Sequence, residues 1–346
     1  MSQIPVADIG IVPFPWQEAA WQQLHVRMLD ARLPHALLIC GVPGTGKALF
    51  ARRFAQLALC HTPDAGQPCG TCSACTQFRA GSHPDYRYVA IPEDKTVITI
   101  AQMRELITAL NLTSQHGGRK IALIEPADAM NTAAANALLK TLEEPGAGTL
   151  LMLVSARPAR LLATIRSRCQ ILRMLPPAQD QALAWLSRHA PRKDWPVLLG
   201  LAGGGPLGAL QLASSAQVEA RLDVFNALEE IRTGRRNPIA CAKDWSAKDL
   251  DMLLTLRLLQ SWVMDLIALG SGAEAAVINQ DAMVLLQTTA QGIHLRGLHA
   301  MLGRLNEAVA LASTSVNRQL LLESLLSDWA EGLKSLEAAP LAARGG

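Results

Sequence analysis

Aromatic residues are scarce: Phe, Trp and Tyr together make up 4% of the 346 residues, although half of the chain is apolar. A core dominated by Leu and Ala favours helices packed through aliphatic side chains and argues against a β-sandwich. A strong excess of one charge is also missing. The formal net charge of +3 is too small to imply by itself a nucleic-acid-coating or membrane-hugging face, so any contact with DNA has to be local. Long unbroken apolar runs are absent too. The leucine-rich stretch Leu253–Leu269 is interrupted by Arg257 and Asp265, and Met1–Gly10 carries no basic region ahead of an apolar core. Neither a membrane span nor a signal peptide is expected, and the protein is expected in the cytoplasm. No internal repeat or low-complexity tract stands out.

The most informative absence is a single hydroxyl. GVPGTGKA, residues 41–48, has the glycine spacing of a phosphate-binding loop, with Gly41, Gly44, Gly46 and Lys47 in place, but Ala48 stands where a Ser or Thr would hold magnesium. The loop follows an apolar run, HALLIC (35–40), and precedes a helical pattern over Ala48–Leu59, which is where the anion-attracting end of a helix is needed. Hydrolysis also needs acids at the end of a neighbouring strand. KIALIE (120–125) ends Glu125-Pro126-Ala127-Asp128: Glu125 is able to touch a metal, but Pro126 has no acid with which to orient water. Asp128 reads as a cap for the following helix. Ser155, at the end of the run TLLMLVSA, reads as a strand-terminal capping residue, with a nucleotide-sensing hydroxyl as the other option.

The seven cysteines are unevenly placed. Cys60, Cys69, Cys72 and Cys75 fall within sixteen residues, and in a reducing compartment that crowding points to metal before disulfides. Four thiolates close a tetrahedral structural zinc site. An iron–sulfur cluster and unligated thiols are the alternatives, the first weakened by the absence of a downstream CxxxCP ligand. His61 and His83 are expected to be bystanders. A closed metal site stabilises a short insertion that cannot bury enough apolar surface alone.

In length the chain exceeds what one core usually organises, so two or three domains are expected. The first part alternates apolar runs (35–40, 120–125, 149–156, CQILRM at 169–174) with helical patterns (48–59, 99–112, 132–144), as a parallel sheet flanked by helices requires. LPP at 175–177 marks a change of domain. Short helical segments follow to about Ser215, and the pattern is helical from there to Leu336. Leu253, Leu256, Leu259, Trp262 and Val263 form a stripe at helical spacing that reads as core. PARLLATIRSRCQ (158–170) is a helical pattern closing on Arg166 and Arg168: either a solvated basic pair or an arginine that stabilises transition-state charge in a neighbouring subunit.

RLPHALLICGVPGTGK (32–47), the four-cysteine set, AGSHPDY (80–86), AAANALLKTLEEP (133–145), RLLATIRSRC (160–169) and SVNRQLLLESLL (315–326) together resemble the bacterial DNA polymerase III clamp loader subunits of the AAA+ class, the delta prime type in particular. The match is tight through Cys169 and looser in the last third. The resemblance implies an α/β AAA+ core with a P-loop sheet over 1–176, including the zinc insertion at 60–75, a helical lid over 177–215, an all-α collar over 216–336 and a flexible tail over 337–346. It further implies a stator without ATPase activity of its own, within the DNA polymerase holoenzyme, that presents Arg168 to the ATP site of an adjacent motor subunit. The implied partners are that motor subunit and the delta subunit in a five-membered ring, the sliding clamp and primed DNA, with no membrane. Active relatives carry a nucleotide-sensing arginine on the lid helix; aligning GGPLGAL (204–210) puts Leu207 there. The intact glycines and Lys47 keep nucleotide binding open, and an ATP-hydrolysing motor subunit of the same assembly is the alternative.

Overall fold

The computed structural model describes residues 13–114, 118–247, 250–291, 293–312 and 316–332. The tail expected over 337–346 lies outside the described residues. The chain divides into two compact units, Met1–Arg188 with Gly203–Gly208, and His189–Ala202 with Ala209–Gly346.

In the first unit the element order is α1 (Glu18–Leu29), β1 (Ala36–Cys40), α2 (Lys47–Leu59), α3 (Ser73–Arg79), β2 (Tyr86–Val89), α4 (Ile100–Asn111), β3 (Lys120–Ile124), α5 (Thr132–Glu143), β4 (Thr149–Ser155), α6 (Ala163–Arg168), β5 (Gln170–Arg173) and α7 (Gln179–His189). The five strands form one sheet in the order β2-β3-β4-β1-β5, parallel throughout, with Leu38 of β1 facing Leu153 of β4 on one side and Ile171 of β5 on the other. Every residue of β1, β3 and β4 is buried, as a parallel sheet covered on both faces requires.

Alternation along the strands divides the core. Leu38 and Leu153 join Leu106, Leu138 and Ile165 from α4, α5 and α6, while Leu37, Ile39 and Met152 join Trp21, Phe50 and Phe54 from α1 and α2. This is the two-residue period of a strand. The edge strand β2 is an addition to the strands expected from apolar runs. Its four residues YRYV leave Arg87 and Tyr88 exposed, so it lacks the pattern that betrays a central strand.

The second unit is helical: α8 (Trp195–Leu201), α9 (Pro206–Leu212, whose first residues cluster with the first unit), α10 (Ala216–Glu219), α11 (Arg221–Arg232), α12 (Pro238–Ala247), α13 (Met252–Gly270), α14 (Met283–Ala290), α15 (Leu295–Leu311) and α16 (Arg318–Gly332). Leu256, Leu259, Trp262 and Val263 are buried in its core with Phe225, Leu305 and Leu326, and the Phe225 and Trp262 rings stack at 4.3 Å. The leucine stripe is therefore the unit's own core; Leu253, at its start, is only half-buried. By length and composition α13 is apolar enough to cross a membrane, yet more than half of it is buried inside the protein. It also carries Asp265 in that interior, where the carboxylate accepts from the backbone N–H groups of Ile278 (2.7 Å) and Asn279 (2.9 Å) and from the Asn279 side chain (2.7 Å).

Candidate functional site: a closed phosphate loop and a half-exposed arginine

The loop after β1 has the backbone that its glycines permit. Gly44 and Gly46 lie in the left-handed region at φ 74° and 81°, which a side chain would strain, and Gly46 caps α2. Its polar side chains bond within the protein. Lys47, 6% exposed, turns its Nζ back onto the Val42 carbonyl at 2.6 Å, and burial holds its pKa below the ordinary lysine range. The Thr45 hydroxyl donates to the same carbonyl at 3.1 Å. The Thr45 carbonyl accepts from Trp16 Nε1 and Gln17 Nε2, both at 2.9 Å.

Above the loop lies the glycine-rich start of α9. The Leu207 N–H donates to the Gly44 carbonyl at 2.9 Å. A Cβ placed on Gly205 would stand 2.2 Å from the Pro43 carbonyl oxygen, and one on Gly44 would stand 2.5 Å from the Gly208 nitrogen. Main chain packs directly on main chain here. Phe14, Trp16 and Trp185 form an aromatic cluster beside it, with Phe14 stacked on Trp16 at 5.0 Å and Trp185 edge-on to both; Phe14 presses against Gly46. A chain so poor in aromatics places three of them at this one spot.

The strand-end acids differ in their surroundings. Burial lifts the Glu125 carboxyl above its usual range, against the opposing pull of the Tyr88 hydroxyl, which donates to it at 3.2 Å, and of Lys47. Asp128 is corrected from the sequence reading: it does not cap α5. That cap is Asn131, whose Oδ1 accepts from the Ala134 N–H at 2.8 Å, because a cap has to sit immediately before the first helical turn and Asp128 lies in a separate short turn, Ala127–Ala129. Asp128 instead accepts from the Ser155 hydroxyl (2.7 Å) and from Arg157 Nε (3.1 Å). Burial pushes its carboxyl up, but those two donors outweigh it and leave it below the usual range. Ser155 does close its strand end, accepting from the Arg157 N–H at 3.1 Å.

Arg166 and Arg168 occupy the last turn of α6, where a cation is favoured by the helix dipole. Arg166 is exposed and lines a cleft of about 410 Å³ with Cys40, Gly41, Val42, Ile171, Arg173 and Met174. Arg168 is half-exposed; its Nη1 donates to the Thr164 carbonyl at 3.0 Å and its Nη2 to Glu143 Oε1 at 2.7 Å. Cys169 is buried, its thiol pushed up to about 11 by desolvation, which marks a packing residue.

The four cysteine sulfurs come together away from the loop. Cys60 ends α2, Cys72 caps α3, and Gly70 between them takes φ 75° with nothing near its missing side chain, so the glycine serves the turn alone. All four Sγ atoms lie within 4.8 Å of one another, with separations of 3.5 Å (Cys60–Cys69), 3.9 Å (Cys60–Cys72) and 4.0 Å (Cys69–Cys75). A tetrahedron of sulfurs about 2.3 Å from a central ion has edges of about 3.8 Å. The donor set therefore fits a metal ion. The backbone N–H groups of Cys69 and Cys72 point at the Cys60 and Cys69 sulfurs at 3.4 and 3.3 Å, as thiolate charge requires. Hydrogen bonds from Thr62 and then from backbone bring the Cys69 thiol down to about 5, while burial takes Cys75 up to about 12. His83 stands apart from the set, accepting from the Asp85 N–H at 3.1 Å.

Sequence reasoning locates the loop, the cysteines and the arginine helix. It misses Phe14, Trp16, Gln17 and Trp185 as neighbours of the loop, since no spacing links residues so far apart in the chain. It also misses Glu143 as the partner of Arg168; the signal available is an acid in the last turn of a helix pattern, where acids are disfavoured.

A family profile described as DNA polymerase III, delta subunit, matches residues 16–178, and one described as its C-terminal part matches residues 215–331. The DNA polymerase III subunit delta' of Pseudomonas aeruginosa is 36% identical over 335 residues, 94% of this chain and 98% of the relative. That of Escherichia coli is 34% identical over 321 residues, 90% of this chain and 94% of the relative. Among solved structures, a DNA polymerase III gamma subunit-related protein from Thermotoga maritima aligns with a TM-score of 0.43 at 17% identity, covering 91% of this chain and 99% of that one. Matching such relatives over nearly its whole length, at 36% and 34% identity, the chain belongs to the DNA polymerase III subunit delta' family.

Proposed function

We propose that this chain is a non-hydrolysing subunit of the DNA polymerase III clamp loader, holding its position in a ring of subunits and presenting Arg168 to the ATP bound by an adjacent motor subunit. The observation that carries the first half is the state of the phosphate loop: Lys47, the cation that would reach the outer phosphates, is buried and bonded to the Val42 carbonyl, and the start of α9 packs on the loop through the Leu207 N–H and the Gly44 carbonyl. Ala48 has no hydroxyl for magnesium, and Pro126 and Leu207 supply neither an acid nor a cation.

The second half rests on chemistry. An arginine delivered from one subunit to another's nucleotide neutralises charge that develops on the transferring phosphoryl group, with no nucleotide chemistry needed in the donor. Arg168 is half-exposed at the end of α6, as that role demands. The implied division into core (1–176), lid (177–215) and collar (216–336), the neighbouring motor and delta subunits, the sliding clamp and primed DNA belong to the same proposal, as does a cytoplasmic location. Cys60, Cys69, Cys72 and Cys75 would hold a zinc ion, which supplies cross-linking of the 60–75 insertion and no open position for catalysis.

Equilibrium titration of the purified chain with Mg-ATP, together with a steady-state ATPase assay, tests the reading. The expected outcome is no turnover; hydrolysis at the rate of a motor subunit overturns it.

A further inference from the structure

Residues 145–179 contain five arginines, at 157, 160, 166, 168 and 173, and no Asp or Glu. Any carboxylate for this stretch has to be brought by the fold from elsewhere. Among the described residues two of the five receive one: Arg157 pairs with Asp128 at 3.1 Å and Arg168 with Glu143 at 2.7 Å. Arg160, Arg166 and Arg173 form no ion pair there. Of the two arginines of α6, Arg168 is therefore the one that the fold supplies with a carboxylate.

We infer that Glu143 is a positioning residue for Arg168, holding the guanidinium in the orientation it needs toward a neighbour's nucleotide; this rests on the role given to Arg168 above. Glu143 is the last residue of α5, where the carbonyl end of the helix disfavours an anion, so its own helix gives no reason for an acid. Its side chain is 48% exposed, and pairs at such a surface contribute little to folding. The contact between α5 and α6 is already made by the buried Leu138, Leu142 and Ile165.

What the pair supplies is geometry. Arg168 Nη1 is fixed on the Thr164 carbonyl and Nη2 on Glu143. Anchors on two different nitrogens set the plane of the guanidinium, whereas either alone lets it pivot. A long, rotamer-rich side chain held in this way loses less freedom when it meets developing charge, and its dipoles need no reorganisation at that moment.

The test uses the reconstituted clamp-loader assembly containing the full chain, with ATP hydrolysis followed across ATP concentrations. Glu143→Ala is expected to lower kcat roughly three- to tenfold with KM unchanged, and Glu143→Gln, which keeps an acceptor oxygen, to restore most of it. Arg168→Ala is expected to lower kcat further, and the double variant to fall no lower than Arg168→Ala alone. Wild-type kcat in Glu143→Ala beside a reduced kcat in Arg168→Ala overturns the positioning role while leaving the arginine's; so does a loss that adds fully to that of Arg168→Ala, or a raised kcat. An Arg168→Ala variant with wild-type kcat overturns both readings together. Gel filtration of each assembled complex and its circular dichroism separate loss of folding from loss of orientation.

Discussion

The loop after β1 and the helix before β5 put charge to opposite uses. In the loop a lysine is buried, bonded to its own backbone and shielded by aromatic rings and by the start of α9. In the helix an arginine stays half in solvent, its partner a carboxylate that is itself about half-exposed. The two also lie at opposite ends of one parallel sheet. The loop leaves the carboxyl end of β1, where α/β folds place their binding groups, whereas Arg168 stands just ahead of the amino end of β5. The difference teaches that the two ends of one nucleotide-binding frame are built independently, so that on the proposed reading the capacity to receive a triphosphate and the capacity to offer a cation are separable.

Four measurements bear on that contrast. The largest effect is expected from Arg168→Ala: ATP hydrolysis by the reconstituted assembly should fall, by up to about 10³-fold, with subunit composition on gel filtration unchanged. Unaltered turnover would erase the contrast. Next, the proposed zinc site predicts that Cys72→Ser abolishes metal content measured by atomic absorption and lowers the unfolding temperature, because the free energy of a structural metal is folding free energy. Retention of full metal content would argue against the four-cysteine set.

Smaller is the effect of Asp128→Ala, which strips the Ser155 and Arg157 donors of their acceptor and should cost about 1–3 kcal/mol in urea unfolding at pH 7. Since the folded protein depresses this carboxyl's pKa, its contribution is complete above the unfolded value of about 3.9 and is lost as pH falls through the lower folded value. The wild-type and variant curves should therefore converge in acid; a gap that persists at low pH would assign the loss to packing. The smallest expected effect is from Ala48→Thr. Restoring the missing hydroxyl should give the isolated chain no measurable ATPase, because Lys47 stays bonded to Val42 and Pro126 and Leu207 still supply neither an acid nor a cation. Turnover in that variant would mean that the loop lacks one atom and nothing more.

Much of this is legible in the sequence, for reasons that can be named. The central strands announce themselves as unbroken apolar runs because both of their faces are covered. The CxxC spacing fixes three sulfurs by local geometry, and glycines at this spacing between a strand and a helix suit a loop that wraps phosphate. What escapes is either weakly apolar or distant in sequence. The edge strand β2 turns its middle residues toward solvent, and α1 and α8 lie outside the motifs. Asp128 reads as a cap of the nearest helix because capping is local, whereas its actual partners are 27 and 29 residues away. The cover over the phosphate loop depends on Gly205 and Leu207 reaching Pro43 and Gly44, a closeness that no window along the chain can hold.

That cover is made of carbonyls and amides. Exchanging the side chain of Leu207 for that of any residue except proline keeps the N–H that bonds the Gly44 carbonyl, whereas any side chain on Gly205 would collide with the Pro43 carbonyl. The fit of this cover is thus written jointly into the course of the chain and into Gly44 and Gly205, the two positions whose missing side chains leave room for it.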